Sequence, residues 1–222
     1  MTVLHLADEG EAADLAAFLS RLLHYDRGAA VRLQAAGTAL AVFGRPPSFE
    51  VLAIRAVRLA KPYENGLDDT LDVTVSAGEL LEAIDETGAT ALVPAAVTGP
   101  PWAGVLPPRG GWQPETGLPA PDALRAMVAA GVAEFRSRTQ ELTPEQRTRA
   151  ELDRVGREIW SRTVGATGLP VRAVHAAQSL GFLRGEGGLG LFSSGAWLRL
   201  RTPYGSIAVR RAGVGALGLS VR

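Results

Sequence analysis

Eight of the fourteen prolines in this chain fall between residues 94 and 121, in the stretch PAAVTGPPWAGVLPPRGGWQPETGLPAP. Proline donates no backbone hydrogen bond and fixes its own φ, so neither a helix nor an inner strand can run through such a segment. The chain is thereby divided into residues 1–93, a strap at 94–120, and residues 121–222. Composition of this kind suits a linker, yet Trp102 and Trp112 lie within it. A solvated tether has little use for two indoles, so the segment is expected to be extended and packed, with Trp102 and Trp112 as anchors. The alternative is a Pro/aromatic motif that presents the same two residues to a protein partner in polyproline form.

The first part reads as α+β. Asp8 with Glu11 three residues later has capping-box spacing, and Leu15, Phe18, Leu19, Leu22 and Leu23 follow at helical intervals. Residues 29–36 and 38–44 form a predicted hairpin around Gly37, and 49–60 reads as a longer strand. A loop at 61–69 with Asn65-Gly66 as its turn precedes a strand at 71–75. Ser76 and Glu79 begin a second helix, and 90–93 suits a short strand. The expected architecture is a mostly antiparallel sheet covered by helices.

The last part changes character. Pro121 suits the first turn of a helix reaching about residue 140. Thr143-Pro144-Glu145-Gln146 has the pattern of a second helix start, and Pro170 opens a third helix. Short strands follow at 188–192, 196–201 and 207–211, so a small β-hairpin unit is expected after the helices.

Charge follows the same division. Net charge is zero, but residues 1–100 hold 14 acids and 7 bases, whereas residues 160–222 hold 8 arginines and one acid, Glu186. An asymmetry between chain ends points either to a surface facing a polyanion or to two parts that attract one another. Lys61 is the single lysine, a bias expected of GC-rich codon usage. The absence of cysteine removes disulfides, thiolate metal sites and cysteine nucleophiles. The N-terminal residues lack the basic start of a signal peptide, and no apolar run approaches the ~20 residues of a membrane span. A cytoplasmic protein without membrane contact is expected.

Catalytic patterns are missing. Gly185, Gly187 and Gly190 spell GxGxxG, but a helix precedes and a strand follows, the reverse of the order that brings a helix N-terminus to a pyrophosphate. His5, His24 and His175 have no metal-ligand spacing, and no GxSxG elbow accompanies them. Asp68, Asp69 and Asp72 lack the spacing of a calcium loop and suit a solvated turn. No catalytic residue, metal or cofactor is assigned.

One constellation remains. Three helices followed by strands is the element order of a winged helix-turn-helix, with the third helix as the reading element. On that helix Arg172, His175 and Ser179 share a face, with Gln178 at its border. Arg199 and Arg201 share one side of a strand, and Arg210 follows on the next. These residues are the candidate nucleic-acid contacts. The same order also fits an Arg-rich α+β unit whose third helix packs on its sheet. Against nucleic-acid binding stands a scaffold role, in which acidic and basic surfaces bring the protein to itself or to another protein. An enzyme with a site of scattered residues has nothing in the sequence to support it.

The stretches LAAFLSRLLHYDRGAAVRL (15–33), GLPVRAVHAAQSLGFL (168–183) and RTPYGSIAVR (201–210) resemble a family of uncharacterised proteins from high-GC Gram-positive bacteria. That family has no assigned activity, so the resemblance implies no site residue.

Overall fold

Helix α1 (Glu9–Tyr25) starts where Asp8 accepts the amide of Glu11 at 2.9 Å. Glu11 turns its carboxylate elsewhere, to Arg55 at 2.9 Å and Arg58 at 2.8 Å. Leu15, Phe18, Leu19 and Leu22 are fully buried, each stabilising by about 1.5–3 kcal/mol relative to exposure. Behind α1 run β2 (Ala30–Ala36), β3 (Ala39–Gly44) and β4 (Leu52–Arg58), after a short β1 (Val3–His5). The structure is a computed structural model and describes residues 2–36, 38–60, 71–185 and 187–211. Gly37, the Asn65-Gly66 turn, Asp68, Asp69, Glu186 and the Gly-rich tail from 212 lie outside the described residues.

The remaining elements are β5 (Asp72–Ser76), α2 (Ala77–Glu82), β6 (Ile84–Asp85), β7 (Thr90–Leu92), β8 (Gln113–Glu115), α3 (Pro121–Gln140), α4 (Arg149–Trp160), α5 (Val171–Ser179), β9 (Gly190–Ser194), β10 (Trp197–Thr202) and β11 (Gly205–Arg210). The described residues form an α+β fold with an eight-stranded sheet in the order β5-β2-β3-β4-β11-β10-β9-β8. Every neighbouring pair in it is antiparallel. A small second sheet has the order β1-β7-β6.

The C-terminal hairpin forms, but as an inner pair of the large sheet. Its β11 joins β4 through Ser206↔Ile54, Ile207↔Ala53 and Ala208↔Leu52. Each side of that seam has the same element order: α1-β2-β3-β4 on one, α5-β9-β10-β11 on the other. Antiparallel pairing of the two last strands relates the units by an approximate twofold axis. Both helices lie on one face, where Phe18 stacks on Phe182 at 5.7 Å. Core residues of the two units belong to one buried cluster.

An ion network also crosses the seam. Arg55, 6% exposed at its side chain, donates to Glu11, to Asp14 at 3.2 Å and to the Tyr204 carbonyl at 2.8 Å. Arg184 pairs with the same Asp14. A buried pair is weak evidence for stability, but removing one partner costs on the order of 3–5 kcal/mol.

Among the described residues the other face of the sheet carries no α-helix; segment 94–120 crosses it, with one 3-10 turn at Pro101–Gly104. Ala96 bridges Val75, and the amide of Val97 donates to the carbonyl of Thr74, at the β5 edge. Trp102 and Leu106 then pack with Phe43, Leu52, Ile54 and Trp197 in a second, smaller apolar cluster. At the far edge β8 pairs with β9. Pro114 is tolerated there because an edge strand has one side that needs no donor.

The helix predicted to begin at Thr143 begins instead at Arg149. Thr143 does make one turn, its amide donating to the Gln146 side chain at 3.1 Å. A second box, Thr148 with Glu151, then caps α4, Thr148 accepting the Glu151 amide at 3.3 Å. The helix begun at Ser76 stops at Glu82, and Ile84, read as part of its apolar side, enters β6.

Candidate anion-binding face

Side chains on β10 and β11 alternate between the two faces of the sheet. Leu198, Leu200, Ile207 and Val209 point to the helices and are buried. Trp197, Arg199, Arg201, Ser206, Ala208 and Arg210 therefore share the face crossed by the strap. Across the strands Arg199 stands opposite Ala208 and Phe192, Arg201 opposite Ser206, and Trp197 opposite Arg210.

Arg199, Arg201, Trp112, Phe192 and Ser206 line a cleft of about 470 Å³. Arg199 is half-buried, and its Nε donates to Ser206 Oγ at 3.0 Å. Its guanidinium lies 5.6 Å from the centre of the Trp112 ring. Trp112 itself is tied to the strap by an indole bond to the Pro108 carbonyl at 3.0 Å. Burial, and then repulsion from Arg201, holds Arg199 below the usual arginine range. A guanidinium remains charged in a protein, so this is a desolvated cation beside a like charge, which an incoming anion would stabilise.

Ion pairing separates the candidate arginines. Among the described residues Arg199, Arg201 and Arg210 form no ion pair, whereas Arg172 reaches Glu50 at 3.9 Å and Arg211 reaches Glu115 at 2.9 Å. Arg210 lies 5.8 Å from the Trp197 ring centre.

Of the helix-borne candidates, Arg172 shares a cleft with Arg210, and the other three lie elsewhere on α5. Five of the nine residues of α5 are buried, and the helix packs on β11, α3, α4 and the turn at 47–49. His175 sits between Trp160, with ring centres 4.3 Å apart, and Phe49, at 5.0 Å. Gln178 is exposed and Ser179 half-buried at the end of α5. None of His175, Gln178 and Ser179 lines a cleft with Arg199 or Arg201.

Trp102 and Trp112 hold the strap at two points, over the centre of the sheet and over Arg199. Sequence reasoning missed Phe192 and Ser206 as neighbours of Arg199, because strand register alone brings them there. It also missed Arg45 and Glu50, which the β3–β4 connection carries to the opposite side of the strap. The order of α5, loop and β9 around Gly185, Gly187 and Gly190 is helix, loop, strand.

Among the described residues no group of three or more His, Cys, Asp or Glu is placed to hold a metal ion. No described helix is long and apolar enough to cross a membrane.

A family model described as Domain of unknown function (DUF8010) matches residues 1–104, and one described as Domain of unknown function (DUF8185) matches residues 107–214. The two matched spans meet on the strap, between Trp102 and Trp112. No curated protein matches the chain.

Proposed function

We propose that this is a cytoplasmic, non-catalytic binding protein that holds single-stranded nucleic acid on the open face of its sheet, in its basic C-terminal half. The observation that carries the reading is that two guanidiniums without carboxylate partners among the described residues, Arg199 and Arg201, share one cleft with the ring of Trp112. Single strands are bound by such combinations: cations track the phosphates, and bases stack on aromatic rings. A duplex is disfavoured, because the strap narrows the approach to the sheet.

The test is fluorescence anisotropy with labelled single-stranded and duplex oligonucleotides from low to physiological salt. Single strands bind, duplex binds more weakly, and log affinity falls linearly with log salt. Replacing Arg199 and Arg201 by Ala removes two phosphate contacts, so the slope becomes shallower by about 1.4 at ~0.7 per contact. Equal binding by the double variant, or no binding of single strands at low salt, contradicts the proposal.

A further inference from the structure

We infer that a second cleft, on the other side of Trp102, is a ligand site for a small phosphate monoester carrying a planar ring. It encloses about 430 Å³, within the range of small-molecule sites. Three guanidiniums from three separate elements meet there: Arg45 from the β3–β4 connection, Arg172 from the first turn of α5, and Arg210 from the end of β11. Trp102 and Trp197 supply ring surface. Among the described residues the one carboxylate lining it is Glu50.

Two observations make this more than a basic patch. The Nε of Arg172 is buried and has no hydrogen-bond partner among the described residues, and a buried donor without an acceptor is rare enough to need a reason. Glu50 stands 3.9 Å from Arg172, whereas a charge-assisted bond closes to about 2.7–2.9 Å. Glu50 also adopts a left-handed backbone conformation, φ 52 and ψ 41, an unfavourable state for a residue with a side chain that tends to persist at ligand sites. The cleft thus holds more cationic donors than acceptors. A dianionic phosphate with several oxygens satisfies that imbalance better than a single carboxylate, because guanidinium groups pair with phosphate two oxygens at a time. A ring attached to it would lie on Trp102 or Trp197.

This site shares no lining residue with the Arg199 cleft, so it stands whether or not that cleft binds single strands. The experiment follows tryptophan emission of the full chain during titration with adenosine monophosphate, adenosine and inorganic phosphate. Adenosine monophosphate is expected to quench saturably and to bind at least about tenfold more tightly than either fragment. Arg172→Gln is expected to abolish the effect. Should that variant fail to fold, Arg45→Ala with Arg210→Ala, both exposed side chains, decides by weakening binding about tenfold or more at unchanged circular dichroism. The titration is run in the Arg199→Ala, Arg201→Ala background, which removes quenching by nucleotide held in the first cleft. Absence of saturable quenching, equal affinity for inorganic phosphate, or full binding by the Arg45 and Arg210 variant overturns the inference.

Discussion

His175 shows how one side chain can share a helical face with polar candidates and still serve the interior. Its spacing from Arg172 and Ser179 puts the three on one side of α5, and that much is readable from the chain. Whether the side meets solvent depends on Trp160 and Phe49, which come from elsewhere and enclose the imidazole. Burial pushes the His175 pKa below its ordinary value, near 6.5. The folded state therefore favours the neutral ring. Between the lowered pKa and about 6.5 the unfolded chain binds more protons, so stability rises with pH across this window and falls as pH drops through it. Thermal melts from about pH 7.5 to about pH 5 are expected to show this decline, and His175→Phe, which keeps an aromatic ring in place, is expected to flatten it. Parallel pH profiles for the two proteins would remove His175 as the cause.

Helix starts were the most legible elements. Asp8 and Ser76 cap α1 and α2 as their spacing predicts, since capping is decided within four residues. The same rule misplaced α4, because two boxes follow in close succession at Thr143 and Thr148 and only the second leads into an apolar stripe, Val155 and Ile159. β8 could not be read at all: three residues with a central proline carry no alternation, and β9 alone makes them a strand. Packing between helices was likewise invisible. A Cβ on Gly131 of α3 would stand 2.8 Å from the Trp160 ring of α4, so only glycine permits this approach. Gly131→Val removes a helix-weakening glycine, a gain of under about 1 kcal/mol. Overpacking costs about 1–3 kcal/mol and wins. A lower melting temperature is expected, with a changed near-ultraviolet spectrum as Trp160 shifts against His175. A melting temperature at or above that of the parent would contradict this close contact.

At the scale of the molecule, the helix-and-sheet class was legible and the assembly was not. The strap marks two lengths of chain, but β4 and β11 pair across about 150 residues, and register at that distance leaves no local trace. The two α-β-β-β units share an order of elements without an evident sequence repeat, because their likeness lies in topology. The charge asymmetry has a double outcome. Part is spent within the molecule, where Arg184 meets Asp14 and Arg172 approaches Glu50. The rest, at Arg199, Arg201 and Arg210, remains on the face that the strap crosses.

That face carries the central claim, and the four tryptophans report on it. Trp112 lies over Arg199, Trp102 and Trp197 flank the second cleft, and Trp160 lies on the helix side against His175. Indole N–H signals recorded by two-dimensional NMR during titration with a single-stranded oligonucleotide would separate these places in one experiment. The account predicts a saturable shift of the Trp112 signal while Trp160 stays where it was. A titration that moves Trp160 and leaves Trp112 unchanged, or that moves none of the four, would contradict it.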